Sequence, residues 1–242
     1  MDGGDAAPSG TLPGAGSSRY RPGCGSAAAA RPEIDPMIVL HGYTGSGNCY
    51  KPALAMRQLG IAYRWREVDI LNGESRTPAF LALNANGRIP LLEPEPGRYL
   101  AESNAMLCWL AEGTALLPAD RWARAKVLEW LFFEQYSHEP YIATVRYWVA
   151  IERTAAANRA RIAERMPRGH AALGVMESRL AKSPFLSDAG YTVADIALYA
   201  YTHVAGEGGY DLTDYPALRA WLARVAEQPG HVTMRAAATD SA

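Results

Sequence analysis

Hydrophobic positions come in short runs up to about residue 113 and at helical spacing after about residue 120. Met37 to Leu40 is an apolar run closed by Gly42, the pattern of a buried strand. Pro52 to Leu59 reads as a helix stopped by Gly60. Tyr63 to Ile70 carries Tyr, Trp, Val and Ile and predicts a second strand. Asn72 to Asn86 is a loop with a short helix. Ile89–Glu93 and Arg98–Ala101 predict a hairpin around Pro94-Glu95-Pro96-Gly97, after which Ser103 opens a helix through Ala111. From Asp120 onward only helices are expected: Arg121–Ser137, Pro140–Arg153, Asn158–Ala181 with a break at Pro167-Arg168-Gly169, Thr192 to about Val204, and Pro216–Glu227. Thr192-Val193-Ala194-Asp195 has capping-box spacing, with Asp in the place of Glu or Gln.

The order β-α-β-α-β-β-α asks for a parallel strand pair with a right-handed crossover, closed by an antiparallel hairpin. That is a thioredoxin-like arrangement. The fold expected is therefore α/β plus all-α: a thioredoxin-like N-terminal domain over residues 37–114, then an all-helical C-terminal domain over 119–234.

Composition changes this picture at one end. Residues 1–36 are rich in Gly, Ala, Pro and Ser and poor in large apolar side chains, which predicts a disordered tail. They lack the apolar core of a secretory signal, and Asp2 and Asp5 stand where positive charge is expected. Met37, immediately before the first strand-like run, is a candidate for an alternative start. The formal net charge of −1 and the absence of a Lys/Arg block give no field for nucleic acid or an anionic membrane. No apolar run is long enough to span a bilayer. Cys24, Cys49 and Cys108 are odd in number and widely spaced, which fits a reducing, cytoplasmic compartment better than a disulfide framework. No His/Cys cluster suggests a metal.

The chemistry begins in the loop His41-Gly-Tyr-Thr-Gly-Ser-Gly-Asn-Cys49, which has three readings. As a phosphate loop, Gly42 and Gly47 have the right spacing, but Asn48 and Cys49 stand where Lys and Ser/Thr are needed. As the His-Gly turn of a hydrolase, it needs a nucleophile elbow, and Ala101-Glu-Ser-Asn-Ala105 lacks both glycines. As a thiol site, Ser46-Gly-Asn-Cys49 occupies the place of C-x-x-C at a helix N-terminus, where free N–H groups favour a thiolate. Ser46 cannot attack a disulfide as a thiolate does, but its hydroxyl can donate to the sulfur of a bound thiol.

A second segment complements the third reading. Ile89-Pro90 precedes a strand, where a thioredoxin-like fold normally keeps a cis proline, leaving the backbone of Ile89 to face a peptide ligand. Ser103 is expected as the N-cap of the following helix, and such an end binds a carboxylate. Glu102 beside it can pair with an α-ammonium. Carboxylate plus ammonium is a γ-glutamyl terminus.

Taken in order, Ser46-Gly-Asn-Cys-Tyr-Lys51, Asn84-Ala-Asn-Gly-Arg-Ile-Pro90, Glu102-Ser-Asn-Ala105 and Thr192-Val-Ala-Asp-Ile196 resemble cytosolic-type glutathione transferases over roughly Met37 to Met234. The resemblance implies glutathione as co-substrate, a small hydrophobic electrophile as partner, a homodimer and a role in detoxification. It places Ser46 where serine-type members keep the catalytic serine and cysteine-type members their cysteine. Asn48 is a second candidate for the thiol, since similar bacterial members keep asparagine there, though it could also cap the helix. It assigns Arg76 and Arg88 to the glycine end of glutathione, with Ser75 replacing a residue that is often His. Tyr43 lies one residue past the place of another catalytic tyrosine, and Cys49 is either a redox thiol or a small buried hydrophobe. Tyr136, His138, Tyr141, Arg146 and Tyr147 fall near the expected second-substrate pocket. Disulfide reduction or peroxidase activity on the same scaffold, and a non-enzymatic binding module, are the alternative functions.

Overall fold

The computed structural model describes residues 38–241. The expectations for the tail 1–36, for Met37 and for Cys24 fall outside the described residues.

Strands β1 (Val39–Gly42), β2 (Arg64–Glu67), β3 (Leu91–Glu95) and β4 (Arg98–Ala101) form one sheet in the order β2-β1-β3-β4. The β1–β2 pair is parallel, whereas β3 runs antiparallel to β1 and to β4. Helix α1 (Gly47–Leu59) makes the crossover, α2 (Pro78–Leu83) follows a 3₁₀ turn at Glu74–Arg76, and α3 (Ser103–Ala111) leaves β4. The remainder is helical: α4 (Arg121–Phe133), α5 (Glu139–Arg146), α6 (Arg159–Leu180), α7 (Val193–Thr202), α8 (Pro216–Ala226) and α9 (Met234–Ala237). The thioredoxin-like sheet followed by a helical layer is the fold read from the sequence.

Sheet and helices share one apolar core. Leu40, Leu54, Met56 and Leu107 pack in the same cluster as Val127, Ile142, Ile196 and Trp221. Alternation explains which side of the sheet does this: Ile38 and Leu40 enter the large core, while Leu91 joins Val68 and Phe80 beneath α2.

Several elements differ from the expected ones. Helix α1 begins five residues before Pro52, because Ser46 caps it by accepting from Cys49 N at 3.4 Å. Pro52 therefore lies inside the helix rather than in its first turn. A proline has no N–H, so the Asn48 carbonyl lacks its usual i+4 donor. The break expected at Pro167-Arg168-Gly169 does not occur, and α6 runs through it. Gly169 is buried against the Tyr210 ring, where a Cβ would come within 2.3 Å of the hydroxyl oxygen. Tight packing there holds a segment that propensity alone would release. The helices expected at 121–137 and 140–153 are joined through a π-helical turn at Glu134–His138, and a second π turn at Tyr147–Ile151 ends α5.

The capping box is present: Thr192 accepts from Ala194 N, and Asp195 Oδ2 accepts from Thr192 N at 2.9 Å. Asp195 Oδ1 also accepts from Leu186 N and from Trp221 Nε1. Burial raises this carboxyl to about 6 even against those donors. One carboxylate thus ties α7 to α8 and to the loop before it.

Candidate active site

A cleft of about 660 Å³ opens between the sheet and the helical layer. That volume is within the range of small-molecule sites. The eight residues assigned from the sequence to the thiol and to the rest of the tripeptide all line it: Ser46, Asn48, Arg76, Arg88, Ile89, Pro90, Glu102 and Ser103.

Ser46 is the N-cap of α1, half-buried at the cleft wall. Its Oγ accepts from Cys49 N, so its own proton remains to be donated. The Tyr201 hydroxyl of α7 accepts from Asn48 N at 3.2 Å, and Tyr201 lines the cleft together with Ser46. Burial raises the Tyr201 phenol far above its ordinary range, so it stays neutral. Gly47 makes this contact possible, since a Cβ there would lie 2.6 Å from the Tyr201 ring. From the other side, Arg146 Nη1 donates to the Gly45 carbonyl at 2.7 Å, and Glu207 holds the same guanidinium at 2.8 Å. The loop that positions Ser46 is thus gripped by two helical-layer side chains.

Asn48 does not cap the helix, a role Ser46 takes. Its side chain bridges the cleft instead, with Nδ2 donating to Glu139 Oε1 at 3.3 Å and Oδ1 accepting from Ser103 Oγ at 3.3 Å. Desolvation raises the Glu139 carboxyl above the usual range.

Ser103 is not the N-cap of α3 as expected. The N-cap is Glu102, whose φ of 68° and ψ of 110° turn the chain from β4 into the helix. Ser103 is already helical and buried, its Oγ accepting from Lys51 Nζ at 3.3 Å. Glu102 makes no capping bond with its side chain, which is exposed on the cleft rim. A non-glycine residue at positive φ costs about 1–3 kcal/mol.

The Ile89–Pro90 bond is cis. Ahead of it, Arg76 Nη1 donates to the Asn86 carbonyl at 2.9 Å, so part of its guanidinium is already engaged. This bond needs Gly87: with φ of 59°, its missing Cβ would come within 2.8 Å of Arg76 Nη1. Arg88 is exposed at the cleft edge, and Ser75, also in the lining, is buried.

Other candidates separate. Cys49 has no exposed surface, and burial pushes its thiol up to about 12, which makes it the small hydrophobe of the two readings. Tyr43 is not part of the lining. Of the five residues placed near a second-substrate pocket, only Tyr147 lines the cleft. His138 is buried, with Nε2 2.9 Å from Thr202 Oγ1. Because Thr202 donates its own proton to Leu198 O, His138 must donate from Nε2, which leaves Nδ1 without a partner. Tyr136 is 84% exposed on the outer surface. Gln135, Glu139 and Tyr201 line the cleft and escaped sequence reasoning. Glu139-Pro140 at a helix junction was the only trace of them, and it read as a break. Among the described residues, no cluster of His, Cys, Asp and Glu could hold a metal.

A thioredoxin-like sheet carrying a polar cleft against a helical layer defines a class of thiol- and peptide-binding proteins. Comparison with known proteins narrows it. Residues 40–115 match the glutathione S-transferase N-terminal domain, and residues 159–224 match the glutathione S-transferase C-terminal domain. The chain is 31% identical over 209 residues to the disulfide-bond oxidoreductase YfcG of Escherichia coli (strain K12), covering 80% of this chain and 92% of that protein. A solved glutathione S-transferase from Pseudomonas fluorescens superimposes with a TM-score of 0.80 at 50% identity, over 81% of this chain and 98% of that one. A theta-class glutathione S-transferase from Xanthomonas axonopodis pv. citri, solved with glutathione bound, superimposes at 0.72 with 30% identity, over 80% and 94% of the two chains. This chain belongs to the glutathione S-transferase family.

Proposed function

We propose that the cleft binds glutathione and that the protein transfers its thiolate to small hydrophobic electrophiles, as a serine-type member of the family. The observation that carries this is the gathering of all eight candidates around one cavity. The γ-glutamyl carboxylate lies on the backbone N–H groups at the N-terminus of α3, beginning with that of Ser103, and the α-ammonium on Glu102. The backbone of Ile89, beside Pro90, meets the cysteinyl peptide groups. Arg88, with the free part of Arg76, takes the glycine carboxylate. The sulfur then lies by Ser46 and Asn48. A free thiol has a pKa near 8.5, and lowering it by about two units needs about 2.7 kcal/mol of preference for the anion. One hydroxyl donor plus the N-terminus of α1 supply an effect of that order.

Replacing Ser46 by Ala tests the assignment. Turnover with a model aryl halide is expected to fall by about two orders of magnitude, while glutathione affinity changes by less than about threefold. Loss of binding in step with turnover, or no loss of either, would sink it.

The YfcG likeness favours disulfide reduction as a second reading. The buried Cys49 then supplies no redox thiol, so the attacking sulfur is that of glutathione itself. The electrophile lies against Ala143, Thr144 and Tyr147. Two copies are expected to pair through the outer face of α4, where Trp122 is 74% and Phe132 72% exposed. No helix among the described residues is long and apolar enough to cross a membrane. A cytoplasmic enzyme of detoxification fits that picture.

A further inference from the structure

Lys51 has no exposed surface, yet it lies directly beneath the cleft. Its ammonium is 2.8 Å from Glu134 Oε2 and donates to Ser103 Oγ at 3.3 Å and to Asn104 Oδ1 at 3.4 Å. Three protons meet three acceptors. Ser103 Oγ then donates to Asn48 Oδ1, and Asn48 Nδ2 donates to Glu139 Oε1.

The two ends of this chain differ in kind from its middle. An ammonium can only donate, and an ionised carboxylate can only accept. A hydroxyl does both, and an amide turned over exchanges its oxygen and nitrogen. A chain that starts on Lys51 and ends on Glu139 therefore has one direction. Along it, Asn48 must present oxygen to Ser103 and nitrogen to the Glu139 side of the cleft. The second Nδ2 proton is left to donate.

We propose that Lys51 is a positioning residue for the thiolate, acting through Ser103 to keep the Asn48 amide turned nitrogen-first toward the sulfur. This rests on the reading above that glutathione binds with its sulfur by Ser46 and Asn48. With Lys51 gone, the direction rests on Glu139 alone, whose carboxyl desolvation pushes toward its neutral, hydrogen-donating form; when the chain then reverses, Asn48 offers carbonyl lone pairs where a donor is needed, and the thiolate loses a hydrogen bond.

The test uses the full-length protein saturated with glutathione, and follows thiolate absorbance against pH. Lys51→Met alone would strand a buried carboxylate, so the variant is Lys51→Met with Glu134→Met, which removes the pair at unchanged net charge. The bound thiol is expected to titrate about one pH unit higher than in wild type. In an Asn48→Ala background the same double change is expected to have no effect, because Lys51 acts through that amide. Affinity for S-methylglutathione, which has no thiol to ionise, is measured in parallel. A bound thiol that titrates as in wild type overturns the proposal. So does a shift that persists undiminished in the Asn48→Ala background. If the double variant does not fold, Ser103→Ala breaks the chain at its middle and is judged by the same two outcomes. Weaker S-methylglutathione binding with an unmoved thiol titration would make Lys51 a binding support only and also overturns the proposal. A wild-type protein that binds no glutathione removes the functional reading and this proposal together.

Discussion

Glu102 combines two properties that rarely coincide, a left-handed backbone and a free carboxylate at a cleft. The strain is tolerable only because β4 and α3 hold both sides. Its proposed role predicts that Glu102→Gln weakens glutathione binding by about tenfold, as loss of one charge-assisted bond would, with the melting temperature unchanged to within about a degree. Calorimetric titration with differential scanning checks both. An unaltered affinity would return Glu102 to the surface. Cys49 makes the opposite case. Its thiol is buried and raised by desolvation, so Cys49→Ala is expected to keep turnover within about twofold, on aryl halides and mixed disulfides alike. Activity on a mixed disulfide that vanishes in this variant would restore the redox reading. At this scale the sequence was most legible where a residue's chemistry is local. Ser46, Ile89-Pro90 and Glu102-Ser103 stand in short motifs whose spacing already suggests a ligand. Glu139, Gln135 and Tyr201 were not legible, because each meets the cleft from an element distant in sequence.

Elements were legible in type and less so in their ends. The hydrophobic pattern marked α1 only from Pro52, while the Ser46-Gly-Asn-Cys49 loop already suggested a helix N-terminus further upstream; the Ser46 cap sets the start at Gly47. The interior of α6 shows packing overriding composition, since Gly169 is held by Tyr210. Two π turns were invisible in the sequence: they add one residue per turn without any compositional mark. The start of α7 was the most legible, because Thr192 and Asp195 satisfy one another's backbone. Asp195→Ala would leave Leu186 N, Thr192 N and Trp221 Nε1 without an acceptor inside the core. We expect a loss of about 3 kcal/mol in urea unfolding. Asp195→Asn, which keeps one acceptor oxygen, should recover part of it. A loss below about 1 kcal/mol would mean that the box caps α7 without anchoring α8.

For the molecule as a whole, four of the five histidines, His41, His138, His203 and His231, are held below their usual range chiefly by burial, His138 at about 3. Above pH 6.5 these groups are neutral in both folded and unfolded chains and cost nothing. As pH falls from 6.5 toward 3, the unfolded chain takes up protons that the folded His138 refuses, so stability drops. Urea midpoints between pH 7 and pH 4.5 are expected to decline, with a shallower decline in His138→Gln. Slopes that match within error would place the acid sensitivity elsewhere. The proposed pairing of two copies is checked by light scattering of Trp122→Glu with Phe132→Glu, which should run as a monomer. The division into sheet and helices was visible from hydrophobic spacing alone, but their joint ownership of the cleft was not. Gly47 and Tyr201, more than 150 positions apart, show what that joint ownership implies for divergence. The space a side chain would need at one is filled by the ring of the other. Position 47 cannot drift alone: a larger residue there is compatible with an intact loop only in a lineage that has already lost the ring at 201. In related sequences the two positions should therefore vary as a pair, and a chimaera joining the sheet of one homologue to the helices of another should fail first at this contact.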